Sequence, residues 1–247
     1  RELPIADDAK MNAFRFREVS IVPQYSMSAL TPTRKVGTVA HELLESRDVP
    51  FDRVKPELVR RLTLVGLSED VLDRYPIELS GGMKQRTVMV ISTLLDPSLL
   101  IADEITSALD VSSQRAVGEM LVEFRDREFV KSMIVITHDL AILYQIADTI
   151  LVMYAGKLAE KAPAEKIVRS PRHPYTRLLI SSLPEVGVRF DETRLAGIPG
   201  KPPSLLAPPK GCRFRDRSPL AFAKCEEAPP FVELEPGHEV ACWKAAA

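Results

Sequence analysis

Four short stretches carry residues whose chemistry goes beyond packing. Leu79-Ser80-Gly81-Gly82-Met83-Lys84-Gln85-Arg86 joins a serine able to cap a helix to two glycines that let a backbone approach an anion closely. The stretch reads either as a plain N-cap or as a helix start whose first-turn N–H groups and dipole favour a phosphate. Leu99-Leu100-Ile101-Ala102-Asp103-Glu104 is an apolar run ending in two carboxylates. An Asp there can hold Mg²⁺ and an adjacent Glu can polarise a water; the alternative is a strand running into an acidic turn. The pair lies close behind Gln85 and is followed by Ser107-Ala108-Leu109-Asp110, which favours the functional reading. Ile134-Val135-Ile136-Thr137-His138-Asp139 sets an imidazole after another apolar run, either as a turn residue or facing a γ-phosphate. Gln24, after Ser20-Ile21-Val22-Pro23, offers an amide to Mg²⁺ or water, or merely closes a turn.

The elements that must position these groups are legible in the hydrophobic spacing. Val36, Val39, Ala40, Leu43 and Leu44 fall on one helical face, and Leu58, Leu62 and Val65 on a second that Gly66 ends. Residues 82–95 predict a third helix, stopped by Asp96-Pro97. Apolar runs at 99–102, 133–136 and 150–154 predict buried strands, separated by helices around 117–124 and 139–147. Strands alternating with helices imply crossover units and a mostly parallel sheet, whose functional groups lie at the carboxyl ends of the strands. Of 20 prolines, 7 fall in residues 1–160 and 13 in the last 87 residues, which places a domain boundary near Lys161. The final Ala245-Ala246-Ala247 reads as a cloning remnant.

Composition narrows the function classes. The net charge of -1 over 247 residues gives no electrostatic case for nucleic acid or an acidic membrane. Three cysteines make no disulfide framework. The charge-free apolar stretch from Thr87 to Leu95 is far short of the roughly 20 residues a membrane helix needs.

The first 160 residues resemble an ATP-binding subunit of an ABC transporter, a P-loop NTPase-like (RecA-like) α/β fold with a helical subdomain inserted at about 30–95. Residues 79–86 match the family's signature motif, 99–104 its Walker B motif, 107–110 its D-loop, His138 its switch histidine and Gln24 its Q-loop glutamine. Residues 161–247 are similar to the irregular, Pro-rich C-terminal extension of oligopeptide and dipeptide importer ATPases. The matching pieces are Arg172-His173-Pro174-Tyr175-Thr176-Arg177-Leu178-Leu179, Ile198-Pro199-Gly200-Lys201-Pro202-Pro203-Ser204-Leu205 and Gly211-Cys212. The resemblance implies that two such subunits sandwich ATP head to tail. Glu104 would polarise water, His138 would sense the γ-phosphate, and Asp103 and Gln24 would serve Mg²⁺. Ser80, Gly81, Gly82, Gln85 and Asp110 would face nucleotide. It further implies a second homologous ATPase, two transmembrane permease subunits, an extracytoplasmic solute-binding protein, and a peripheral place on the cytoplasmic face of the cell membrane. Residues 30–80 and the Q-loop would touch the permease.

The sequence also departs from that pattern. It holds no G-x-x-x-x-G-K-[ST], the phosphate loop the family places upstream of Gln24. The chain starts at Arg1, so the expectation is a chain that begins after that loop, with weak ATP binding alone, unpaired core strands and poor solubility. Ile105 stands where the family usually has Pro. The extension commonly carries four cysteines resembling a [4Fe–4S] ligand set; here Cys212, Cys225 and Cys242 remain, Ser218 occupies the second position, and His238 is a candidate fourth ligand. Three free cysteines are the other reading. Rival functions are a non-catalytic protomer offering only its signature half-site, an importer of oligosaccharide or nickel, and a soluble ABC ATPase of DNA maintenance. The last lacks support, since neither heptads nor paired Cys-x-x-Cys occur.

Overall fold

A computed structural model describes residues 3–24, 29–107, 109–182 and 197–245. Ala108 of the 107–110 stretch, and Ala246 and Ala247 of the terminal alanine run, lie outside these. The chain divides into two compact units, Arg1–Ile146 and Ala147–Ala247.

In the first unit, three strands pair in parallel in the order β1 (Val19–Val22), β2 (Leu99–Asp103), β3 (Ser132–Ile136). The register sets Val22 beside Ala102, Ala102 beside Val135 and Asp103 beside Ile136, so the carboxyl ends of all three strands lie side by side. α1 (Asp8–Asn12) precedes β1. α2 (Val36–Glu45) buries Val36, Ala40 and Leu44, the i, i+4, i+8 row the spacing predicts. α3 (Phe51–Leu64) buries Leu58, Arg61 and Leu62. It is followed by Gly66 at φ +71°, a left-handed position glycine occupies without steric cost. α4 (Gly81–Thr93) is buried at every position from Thr87 to Thr93, which explains why it shows no polar face in sequence. α5 (Val111–Asp126) and α6 (Leu140–Ile146) complete the unit.

Val22, Leu100 and Ala102 share one buried cluster with Met89 and Val90 of α4 and Leu121 and Phe124 of α5. The opposite face of the sheet turns Ile21, Ile134 and Ile136 outward, at 56%, 50% and 47% exposure. Among the described residues no helix is long and apolar enough to cross a membrane.

The second unit differs from the sequence expectation in two ways. The strand expected at 150–154, β4 (Thr149–Tyr154), belongs to a separate four-stranded antiparallel sheet, β4-β5-β7-β6, with β5 (Lys157–Pro163), β6 (Val232–Glu235) and β7 (His238–Val240). Ala155 and Gly156 both have positive φ, +47° and +76°, the conformation of a two-residue turn whose twist matches a hairpin. That turn pairs β4 antiparallel with β5, where a place in the mostly parallel sheet was expected. The boundary near Lys161 would therefore cut β5 in two, whereas the break between units falls at Ile146. The extension is also less irregular than its proline content suggests. It holds α7 (Ala164–Arg169), α8 (Pro174–Ser181) and the β6–β7 hairpin, turned by Pro236-Gly237 with Gly237 at φ +73°.

Candidate functional site

Gln24, Glu104 and His138 each follow the carboxyl end of one of the three parallel strands, so the register alone brings them together. The Gln24 amide donates to Glu104 Oε2 at 2.5 Å. Ser107 Oγ donates to the same oxygen at 3.2 Å. His138 Nδ1 lies 3.8 Å from Glu104 Oε1. Glu104 has φ +44°, a left-handed position a non-glycine residue rarely adopts. Its N–H donates to Ile136 O at 2.8 Å and its carbonyl accepts from Ser107 N–H at 3.0 Å, and these bonds hold the turn. The Glu104 side chain is one-third exposed and His138 three-quarters exposed, so both face open surface. A carboxylate oriented by an amide and a hydroxyl, beside an imidazole free to turn, can take a proton from a water and contact an anion. Asp103, the last residue of β2, is half-buried at the same strand end.

Ser80 is exposed and caps α4, its Oγ accepting from Met83 N–H at 3.3 Å. A Cβ built on Gly82 would meet nothing within 4 Å, so the start of α4 is open. Two expected nucleotide residues are used otherwise. Gln85 is 1% exposed and its amide donates to the Ile105 carbonyl, so it ties α4 to the loop after β2 rather than facing a ligand. Ile105 is buried and leaves the Glu104 carboxylate in place. Asp110 caps α5, accepting from Ser113 N–H and Ser113 Oγ at 2.9 Å each. The Ser112 hydroxyl first, then the Ser113 N–H and hydroxyl, hold its carboxyl down to about 2. Ser107 as a partner of Glu104 was missed as an individual contact. The signal was present, since a hydroxyl three residues after a turn carboxylate can fold back on it.

The donors around the three cysteines decide whether an iron–sulfur cluster fits. Cys212, Cys225 and Cys242 line one small cavity together with Ser218. Gly211 makes this approach possible: a Cβ there would sit 2.5 Å from the Cys225 carbonyl oxygen, and Cys212 N–H donates to that oxygen at 3.0 Å. The remaining candidates are engaged elsewhere. His238, 1% exposed, is bound to Glu160 Oε1 at 2.7 Å, which removes it as a fourth ligand. His173 Nδ1 accepts from Tyr175 N–H at 3.0 Å. Ser218 Oγ accepts from Leu220 N–H at 3.2 Å. Burial pushes the Cys212 thiol up, away from the thiolate a cluster needs. Among the described residues no three His, Cys, Asp or Glu side chains converge as a metal site. The residues do not fit a four-thiolate cluster.

Around that cavity, burial pushes His173 down to about 4, the Glu160 charge opposing it only in part. The unfolded chain therefore binds a proton near its ordinary 6.5 that the folded unit refuses until about 4. Stability of the second unit is expected to be full above about 6.5 and to fall as pH drops toward about 4. The fluorescence of Trp243, the one tryptophan in the sequence, reports unfolding of this unit directly. A midpoint that stays flat across that window would contradict the expectation.

Comparison with known proteins follows the same division. The family described as "ABC transporter" matches residues 5–107, and "Oligopeptide/dipeptide transporter, C-terminal region" matches residues 159–225. The chain is 38% identical over 248 residues to the dipeptide transport ATP-binding protein DppD of Caldanaerobacter subterraneus, covering 98% of this chain and 74% of that protein. It is 39% identical over 247 residues to the oligopeptide transport ATP-binding protein OppD of Escherichia coli, covering 99% and 72%. The chain belongs to the ABC transporter ATP-binding proteins of the oligopeptide/dipeptide type. The dimeric structure of MJ0796, a bacterial ABC transporter cassette, superposes with a TM-score of 0.54 at 19% identity, over 64% of this chain and 68% of that one. At that identity the likeness concerns the fold. ABC ATP-binding family membership implies ATP with Mg²⁺ as the ligand. The open start of α4 and the oriented Glu104 carboxylate are chemically suited to a phosphate and to a water beside it.

Proposed function

We propose that this chain is the ATP-hydrolysing, energy-coupling subunit of an importer for peptides, acting as one half of an ATP-sandwich dimer. The observation that carries the reading is the convergence of Gln24, Glu104, Ser107 and His138 at three adjacent strand ends. Bound ATP and Mg²⁺ would supply the electrophilic phosphorus and its charge neutralisation. Glu104 orients and deprotonates the attacking water, and Gln24 and Ser107 fix the carboxylate that does so. His138 contacts the γ-phosphate, and Asp103 with Gln24 serves Mg²⁺. Ser80, Gly81 and Gly82 present first-turn N–H groups to the nucleotide held by the opposite subunit. The named relatives, peptide-transport ATP-binding proteins, support a peptide cargo. The family resemblance further implies a second homologous ATPase, two permease subunits, a solute-binding protein and a peripheral position on the cytoplasmic face of the membrane. The test is ATP turnover of the transporter reconstituted in liposomes with its binding protein: stimulation by a peptide-loaded binding protein is expected. Turnover indifferent to peptide but responsive to an oligosaccharide or to nickel would reassign the cargo.

A second reading concerns these residues taken alone. These 247 residues contain no G-x-x-x-x-G-K-[ST], whose N–H cradle and lysine make the main phosphate contacts. A protomer limited to these residues would supply only the half-site of Ser80–Gly82. Isothermal titration of the 247-residue chain is expected to give an ATP Kd weaker than about 1 μM. Submicromolar binding would contradict this. For the cysteine set, anaerobic reconstitution with iron and sulfide is expected to leave no iron above background. Iron retained with matching sulfide would restore the cluster.

A further inference from the structure

Among the described residues of the first unit one buried cation, Arg61, sits at the base of the elements that carry the groups proposed to act on ATP. Arg61 of α3 is 2% exposed. Its Nε donates to Glu57 Oε1 at 2.6 Å, its Nη1 to the Thr93 carbonyl at 2.6 Å and its Nη2 to Asp96 Oδ1 at 2.6 Å. Its guanidinium carbon stands 3.8 Å from the centre of the Phe129 ring. A buried guanidinium this fully bonded is costly to disturb, because removing it leaves the Thr93 carbonyl buried without its donor and opens a gap against Phe129, while Asp96 and Glu57 keep water or Arg60 as partners.

What Arg61 touches is more informative than how tightly. Thr93 is the last residue of α4, whose first turn carries Gly81 and Gly82 after Ser80. Asp96, at φ +50°, is the turn residue before β2, whose far end carries Asp103 and Glu104. Phe129 leads into β3, whose far end precedes His138. α4 spans about 18 Å at 1.5 Å per residue, and β2 about 16 Å to Glu104. One planar group thus holds the bases of three rigid elements whose tips bear the groups proposed to act on ATP.

We propose that Arg61 is a positioning residue that fixes the base of α4 against the turns leading into β2 and β3, and through them the placement of Ser80–Gly82 relative to Glu104 and His138. This rests on the functional reading given above. Strands and helices transmit a shift at the base to the tip almost undiminished, and a displacement of about 1 Å at reacting groups costs on the order of 100-fold in rate. Lysine in its place keeps the charge but loses the planar fork and the stack on Phe129.

The test uses the assembled transporter with Arg61→Met and Arg61→Lys. ATP turnover is measured per nucleotide-occupied site, and amide hydrogen exchange is followed at residues 104–107 and 138–139, with α2 as reference. The expected result for Arg61→Met is a fall in kcat of about tenfold or more with KM for ATP within about threefold, and faster exchange at 104–107 and 138–139 than in α2. Arg61→Lys is expected to fall between it and the wild type. A kcat within twofold of wild type, or exchange that rises equally in α2, would overturn the proposal and leave Arg61 a general stabiliser. Should Arg61→Met fail to fold, Asp96→Gly, which accepts φ +50°, and Phe129→Leu each remove a single tie and carry the same two readouts. A wild-type transporter without ATP turnover would count against the functional reading, and the exchange comparison would still decide the role of Arg61.

Discussion

Changing Glu104 to Gln in the assembled transporter is expected to lower ATP turnover by at least about 100-fold, within the 10²–10⁴ a positioned general base contributes. The substitution keeps the size and shape of the side chain and one acceptor oxygen. It removes the negative charge that takes a proton from the attacking water. The turn at φ +44° is held by backbone bonds to Ile136 and Ser107, so the fold tolerates the change. ATP binding depends on other groups, so nucleotide-bound, closed protein is expected to accumulate. Phosphate release and retained nucleotide, measured on the same sample, check both halves. Undiminished hydrolysis would remove Glu104 from the mechanism, and lost binding would show that the change acts on the fold.

The second large effect belongs to the C-terminal unit. Glu160, fully buried, accepts from Arg172 N–H at 2.6 Å and from His173 N–H at 3.0 Å, and binds His238 at 2.7 Å. The two N–H groups stand just before and at the N-cap of α8, where a carboxylate is favoured by the helix dipole. Glu160→Ala would leave the His173 N–H and the His238 ring nitrogen buried without a partner, and the half-buried Arg172 N–H unpaired beside them. The expected cost is about 3–5 kcal/mol in the stability of this unit. Denaturant unfolding followed by Trp243 fluorescence measures it. A loss below about 1 kcal/mol, the size of an ordinary surface change, would mean that water reaches these groups.

The periodic helices were legible because each buries one face, and the burial of Val36, Ala40 and Leu44 repeats the spacing read from the sequence. The three parallel strands were legible as apolar runs, but β3 is not the buried strand expected: it leaves Ser132, Ile134 and Ile136 exposed and Met133 and Val135 half-buried. Gln24, Glu104 and His138 were legible for a related reason: parallel strands align their carboxyl ends. Gln85 was expected to face nucleotide but is buried with its amide on the Ile105 carbonyl, because its motif also serves packing, Leu79 being buried and Met83 lying against the core, and helical position alone does not say which side of α4 meets it. Asp110 is exposed and caps α5 through Ser113 beside it, a role its neighbours in the sequence already favour. The antiparallel sheet was missed because β4 reads as an apolar run like the parallel strands, while its hairpin rests on the positive φ of Ala155, which no sequence rule favours. The role of Arg61 was invisible because its ties to Thr93, Asp96 and Phe129 join residues more than 30 positions away.

The central claim is that Ser80 and Gly82 of one subunit and Glu104 of the other face the same triphosphate. Its most direct test is the structure of the assembled transporter with a non-hydrolysable ATP analogue. Ser80 Oγ and the Gly82 N–H are expected within about 3 Å of the γ-phosphate oxygens, with the opposing Glu104 carboxylate one water away from its phosphorus. A nucleotide bound with the Ser80 turn facing bulk solvent, in a closed dimer, would contradict it.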